Sequence, residues 1–433
     1  MQLTIYNLLW YTGTRIRNPN LNGHFLSLKN SEYISLKELE AIQFGRALQI
    51  IGHAFKSSPF YRKKFIDSNF SPASDFNSLE DIKRIPTTTK DELIEYNATV
   101  HSSDINSKVF ISETSGSTGQ SLKFRKDENW DSFNRAARVR GFSWYGVSPW
   151  DRNGYLWGYD FSNSAKLKTS VLDSVQNRFR IFSYKEDEII HFANRLKKAN
   201  YICGYSSMIY EVARRINEIP GVSKPLNLKM VCGTSEKIFD SYQNEAVKAF
   251  GCKIIGEYGA AEAGIIAFEC PHGNLHINME GVLVEEEKGE IIVTNLIARS
   301  FPIIRYKLGD YIKLKDPSFE CPCGMKHRVI EDVLGRVGKL IRGKNNSYPS
   351  LTFYYVFKNL ATNHNLELNY QSEQHTVGVV KIRIQQHLDP VQKSLLDKEL
   401  TKYFGNDLTF QIFAGQTLHK MQGKFRDFVS TVD

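Results

Sequence analysis

The chain has 433 residues, of which 41% are hydrophobic and 24% charged, and a formal net charge of +9. That length calls for more than one domain, and the composition is that of a globular protein with a large core, not of a disordered or fibrous chain. No apolar run approaches the ~20 residues needed to span a bilayer.

The short apolar patch from Tyr6 to Tyr11 has no small-residue cleavage site behind it and is not read as a signal peptide. A cytoplasmic location is the expectation. The positive charge is spread along the chain, with no Lys/Arg block interleaved with aromatics. That pattern argues against nucleic acid and leaves an anionic membrane surface or an anionic small molecule.

In chain order, residues 1–30 carry no clear period. From Ser35 to Lys56 the positions Leu36, Leu39, Ile42, Leu48 and Ile51 predict an amphipathic helix. Short helices ended by turns follow at Ser58-Pro-Phe-Tyr-Arg and Leu79-Glu-Asp-Ile. The run Val109–Ile111 reads as a strand and Trp130–Val139 as a helix. Strand-like and helix-like runs then alternate. They are Gly154–Trp157, Ile189–Ala199 (helix), Tyr201–Gly204, Met208–Glu218 (helix), Lys229–Cys232, Phe239–Phe250 (helix) and Lys253–Gly256. This alternation predicts an α/β fold with largely parallel strands.

From Gly281 to Lys315 the pattern becomes β-rich. Beyond Gly335–Gly343 the texture changes to strand (Leu366–Tyr370), strand (Gly378–Ile384), helix (Pro390–Tyr403) and strand (Leu408–Phe413). The expected architecture is a large domain over residues 1–337, with α/β sheets and a β-rich subdomain. A small α+β domain over 338–433 follows.

Five stretches carry chemistry. The loop Thr114-Ser-Gly-Ser-Thr-Gly-Gln120 offers hydroxyls and close-approaching backbone N–H groups, a composition suited to phosphate; the alternative is a surface turn. In Gly256-Glu-Tyr-Gly-Ala-Ala-Glu262, Tyr258 can stack on a flat ring. The turn at Gly259 lets Glu262 reach a metal-bound phosphate, unless Glu262 is merely solvated. Asp310, ending Arg305-Tyr-Lys-Leu-Gly-Asp, suits ribose hydroxyls or a plain hairpin turn. Arg336 suits ribose or phosphate, and Gly338 suits a hinge. Lys424 sits in a Gly-Lys loop near the C-terminus.

Of the six cysteines, Cys203, Cys232 and Cys252 sit in apolar surroundings and read as small core residues. Cys270-Pro-His272 and Cys321-Pro-Cys323 form two short pairs that supply a Cys₃His set suited to tetrahedral zinc. The expected ligands are Cys270, His272, Cys321 and Cys323, with His276 and His327 as substitutes. The bland alternative is a set of reduced thiols beside a solvated histidine.

In their order these stretches resemble the adenylate-forming (acyl-CoA synthetase-like) superfamily. Ser58-Pro-Phe-Tyr-Arg, Leu79-Glu-Asp-Ile and Cys321-Pro-Cys-Gly resemble its phenylacetate–CoA ligase-like branch. The ending Gly423-Lys-Phe-Arg-Asp-Phe-Val-Ser is similar to capsular polysaccharide biosynthesis members. The resemblance covers about Leu36 to Val429.

It implies that Ser115, Gly116, Ser117, Thr118 and Gly119 hold the ATP phosphates, with Thr118 also catalytic. Glu236, Tyr258 and Gly259 would line the adenine pocket, Glu262 would bind Mg²⁺, and Asp310 and Arg336 would take the ribose. Lys424, on a mobile lid turning about Gly338, would bridge the carboxylate and the α-phosphate. The implied partners are a carboxylic acid and an acceptor, either CoA or an amine or hydroxyl such as an amino sugar. A homodimer is common in such ligases. Two departures stand out: Ala261 replaces the usual Ser or Thr before Glu262, and Gly338 replaces the usual Asp or Lys. Ala261 is also the main support for a different class, a non-catalytic nucleotide-binding scaffold.

Overall fold

The computed structural model describes residues 5–114, 122–157, 163–181, 185–222, 224–235, 238, 240–336, 340–348, 350–366, 368, 370–418, 420–421, 424–425 and 428–432. By its internal packing the chain divides into two compact units. One comprises Met1–Thr114, Leu122–Leu308 and Ile312–Leu334; the other is built on Gly335–Asp433.

The larger unit is built on an 11-stranded sheet. In spatial order its strands are Val282–Glu287, Glu290–Asn295, Tyr306–Leu314, Val329–Arg336, Leu275–Ile277, Gly264–Glu269, Ile254–Ala260, Met230–Thr234, Tyr201–Tyr205, Asn153–Leu156 and Arg178–Phe179. The strands from Arg178–Phe179 across to Ile254–Ala260 run parallel. They are joined through the helices Glu186–Leu196, Ser206–Glu218 and Asp240–Phe250. Parallel neighbours need such crossovers, which explains the strand–helix alternation in the sequence. Beyond Ile254–Ala260 the pairing with Gly264–Glu269 and then Leu275–Ile277 is antiparallel.

At the far edge Val282–Glu287 and Glu290–Asn295 form a hairpin. Its two turn residues, Lys288 and Gly289, have φ of 53° and 84°, which matches the strand twist of a type I′ turn.

The helix Leu36–Ser57 is started by a capping box in which Ser35 and Glu38 satisfy each other's backbone N–H groups. Residues 1–30, without a clear period in sequence, fold as helices Ile5–Arg17 and Leu21–Asn30. Among the described residues no helix is long and apolar enough to cross a membrane.

The smaller unit is α+β. Its four-stranded sheet has the order Thr409–Phe413, Val379–Ile384, Tyr370–Thr376, Phe428–Ser430. The helix Pro390–Phe404 begins with Asp389 as cap and proline in its first turn. The helix Leu351–His364 falls in a stretch with no element expected from sequence. It is helical because Phe353, Val356, Phe357 and Leu360 recur at helical spacing and are all buried in one core. The strand expected at Leu366–Tyr370 starts later, at Tyr370.

Inside the larger unit one buried polar network crosses from helix to sheet. Glu280 accepts hydrogen bonds from Arg140 at 2.6 Å and from Ser31 at 2.5 Å, with His327 Nε2 at 3.1 Å. Burial opposes the Glu280 charge, but Arg140 and His327 outweigh it and hold the carboxyl well below the usual range. Its stabilising contribution is therefore complete above the ordinary glutamate pKa and is lost as pH falls toward the folded value. Glu280→Gln should cost about 3 kcal/mol at neutral pH. Urea unfolding should show that deficit shrinking steadily as the pH is lowered to about 3, where unfolded glutamate takes up its proton.

Candidate active site at the carboxyl ends of the parallel strands

In open α/β sheets ligands bind beyond the carboxyl ends of the strands. Here Tyr205 stands in register with Thr234, and Thr234 with Glu257, at the ends of three adjacent parallel strands. Trp157 follows the next strand, and its ring lies 4.7 Å from that of Tyr205. An aromatic wall thus borders a polar edge.

Glu257 is buried and takes a two-pronged ion pair from Arg138, at 2.6 Å from Nε and 2.5 Å from Nη2. Thr234 Oγ1 donates to the same carboxylate at 3.3 Å. Burial works against the Arg138 charge, but Glu257 more than compensates and raises its pKa.

One residue on, Tyr258 packs half-buried against the core. The strand then turns at Gly259 to Glu262 and returns as Gly264–Glu269. The pairing slips between Tyr258 and Gly259, bringing the two backbones close. A Cβ on Gly259 would stand 2.4 Å from the Gly264 carbonyl oxygen, so this position tolerates only glycine without rearrangement.

Glu262 is buried and accepts a 3.0 Å hydrogen bond from the Tyr306 hydroxyl. A neutral phenol orients the carboxylate without cancelling its charge, which leaves it suited to a cation. Lys126, also buried, feels this charge: burial, with Arg135 nearby, holds its pKa below the usual lysine value, and Asp131 and Glu262 offset only part of that.

The motif Arg305-Tyr306 has two separate structural tasks. Arg305, at φ 44°, pairs with Glu285 at 3.0 and 2.9 Å and donates to the Ile85 and Lys83 carbonyls. That anchorage lets the next residue aim its hydroxyl at Glu262. Asp310 lies further along the same strand, half-buried, after Gly309 at φ 83°.

Thr114 closes the base of the expected phosphate loop: its N–H donates to the Leu122 carbonyl at 3.0 Å, and the Leu122 N–H donates to its hydroxyl at 2.9 Å. The loop is flanked by an antiparallel hairpin of Val109–Glu113 and Lys123–Asp127. Ser115, Gly116, Ser117, Thr118 and Gly119 lie outside the described residues, as do Glu236 and Gly338. Arg336 ends the strand Val329–Arg336, and its side chain lies outside the described set. Lys424 falls on the strand Lys424–Phe425, paired with Lys420–Met421; of it only the backbone is described.

The structure brings Cys270, Cys321 and Cys323 together. It does not bring His272, which is exposed on the turn after Cys270. His276 stands in the cluster instead. The reason is the sheet: His276 pairs with Phe268 on one side and Val329 on the other, which buries its ring.

Arg138, Lys126, Glu257 and Tyr306 are the site residues that sequence reasoning missed. Tyr306 and Glu257 lay inside quoted motifs. The partners Arg138 and Glu257 are 119 residues apart and share no local pattern.

No family model matches the chain. It is 25% identical to Protein CapK of Staphylococcus aureus over 326 residues, covering 72% of this chain and 69% of that protein. It is 24% identical over 381 residues to phenylacetate-coenzyme A ligase of Escherichia coli (strain K12), covering 80% and 83%. Among solved structures, 2-hydroxyisobutyryl-CoA ligase in the postadenylation state matches with a TM-score of 0.62 at 16% identity, over 93% of this chain and 91% of that one. An open conformation of that ligase, in complex with 2-HIB-AMP and CoA, matches with a TM-score of 0.59 at 16% identity, over 92% and 93%.

The fold is that of the adenylate-forming ligases, and fold and sequence similarity together indicate such a ligase. Within that class the chain is similar to the phenylacetate–CoA ligase-like branch, with Protein CapK beside it.

Arg138→Met should destabilise the chain by about 2 kcal/mol by leaving Glu257 buried and unpaired, less than for a fully enclosed pair because Arg138 is partly exposed. Adding Glu257→Gln should recover most of the loss. Chemical denaturation of the single and double variants checks this.

Proposed function

We propose that the chain activates a carboxylic acid with ATP and Mg²⁺, forming an acyl-adenylate and pyrophosphate, and then passes the acyl group to CoA. The observation that carries this reading is Glu262. It is a buried carboxylate oriented by Tyr306, on the turn that follows Tyr258 at the carboxyl end of a parallel strand. A carboxylate there can hold a hard cation together with substrate phosphates.

In the first step a carboxylate oxygen of the acid attacks the α-phosphorus, and the bond to the pyrophosphate oxygen breaks. Two anions must meet, so positioning and charge neutralisation supply most of the catalysis. Mg²⁺ supplies screening of the departing pyrophosphate. Tyr258 stacks on adenine with Gly259 beside it, Glu236 completes that pocket, and Asp310 and Arg336 take the ribose. The loop residues Ser115, Gly116, Ser117, Thr118 and Gly119 cradle the phosphates with N–H and hydroxyl donors. The Lys424 ammonium contacts both the acid and the α-phosphate as charge develops.

In the second step the CoA thiolate attacks the acyl carbon and AMP leaves. The 338–433 domain, turning about Gly338, serves the two steps in succession. The aromatic rings of Trp157 and Tyr205 support an aryl or apolar acid as substrate. A second reading has an amine or hydroxyl acceptor, as on an amino sugar in surface polysaccharide assembly; the ending Gly423-Lys-Phe-Arg-Asp-Phe-Val-Ser favours it. Either enzyme works in the cytoplasm, where ATP and CoA are supplied.

ATP–pyrophosphate exchange across a panel of acids tests the reading: at least one acid should stimulate exchange, and silence across the panel would favour the scaffold. Lys424→Ala should lower exchange by about a hundredfold or more while sparing transfer from a supplied acyl-adenylate. Equal loss of both half-reactions would count against a turning domain.

A further inference from the structure

Two turns of the same make stand together at the end of the antiparallel strands, Cys270-Pro-His-Gly273 and Cys321-Pro-Cys-Gly324. In each, the glycine N–H donates to the cysteine carbonyl, at 2.8 Å for Gly273 and 3.0 Å for Gly324. Both glycines adopt positive φ, 74° and 87°. Proline at the second position presets the turn and removes a competing donor.

Such turns aim backbone N–H groups at sulfur. Those of His272 and Asn274 face Cys270, that of Cys323 faces Cys321, and that of Met325 faces Cys323. The Asn274 side-chain amide adds a 3.2 Å contact to the Cys321 sulfur. Donors arrayed on the sulfurs form the kind of outer shell that orients metal ligands.

The ligand atoms of Cys270, His276, Cys321 and Cys323 lie within 4.8 Å of one another. The Cys270 and Cys321 sulfurs are 3.7 Å apart, and the Cys323 sulfur is 3.3 Å from His276 Nε2. Tetrahedral zinc with Zn–S of about 2.3 Å and Zn–N of about 2.0 Å spaces sulfurs about 3.8 Å apart and sulfur from nitrogen about 3.5 Å. A disulfide needs about 2.05 Å. The observed spacings fit the metal and not the bond.

The histidine is also prepared. Its Nδ1 lies 3.1 Å from the His327 carbonyl oxygen, which can only accept. That fixes the proton on Nδ1 and leaves the Nε2 lone pair facing Cys323, the outer-shell arrangement of zinc-bound histidines.

We propose that Cys270, His276, Cys321 and Cys323 bind one zinc ion in a closed, structural site. The ion staples the turn after Gly264–Glu269 to the turn before Val329–Arg336, with His276 from the strand between them. All four positions are filled by protein, so the metal has no open position for catalysis. The site is independent of the adenylation reading, and its test uses no activity.

Metal analysis of the full-length chain, purified reduced and without chelator, should find about one zinc per chain. His272→Ala should keep it, and His276→Ala or Cys321→Ser should lose most of it. Cobalt exchanged into the wild-type chain should give thiolate-to-cobalt charge-transfer and tetrahedral absorption bands, a readout that needs no variant to fold. Less than about a tenth of a zinc per chain together with no such bands would overturn the proposal. Loss of zinc in His272→Ala with retention in His276→Ala would overturn the ligand set.

Discussion

The pairing of Arg138 with Glu257 is the constraint around which the site is arranged. A carboxylate buried at the carboxyl edge of a parallel sheet must be neutralised, or the strand end cannot stay in place. The guanidinium that does this comes from the helix Glu128–Ser143, and its two-pronged geometry fixes direction as well as distance. That helix is itself pinned at both ends. Asp127 caps its start by accepting from Trp130 and also accepts from the Ser300 N–H, while Arg140 in its last turn neutralises Glu280. The same segment follows directly on the hairpin that carries the Thr114 loop. The hairpin ending at Asp127, the strand carrying Glu257 and the buried Glu280 network thus share one helix as their reference.

Glu262 shows the same logic on a smaller scale. Its position depends on Gly259, which allows the backbone to double back, and on Tyr306, which holds the carboxylate. Tyr306 depends in turn on Arg305, whose side chain is fully engaged by Glu285 and two carbonyls. The Arg-Tyr pair in the sequence is therefore a support and a pointer, not two ligands.

Much of the fold could be read from the sequence where one local signal dominated. Alternating strands and helices gave the parallel half of the sheet, and the helix read over Pro390–Tyr403 is present as Pro390–Phe404. Reading was silent where tertiary packing rather than a clear local signal decides, as in Leu351–His364, a helix whose Phe353, Val356, Phe357 and Leu360 are buried in one core. At the candidate site the sequence motifs drew the eye to Tyr258 and Glu262 but not to the side chains that Glu257 and Glu262 pair with, Arg138 and Tyr306. Arg138 carries no signal of its own, since what defines it is a carboxylate distant in sequence. The metal-ligand set shows the same limit. Sequence adjacency favoured His272, while strand register selects His276.

A crystal structure with ATP and Mg²⁺ tests the central claim most directly. The account predicts adenine against Tyr258, the metal on Glu262, and the triphosphate in the loop that begins at Thr114. A nucleotide bound elsewhere, or no nucleotide at saturating concentration, would contradict it.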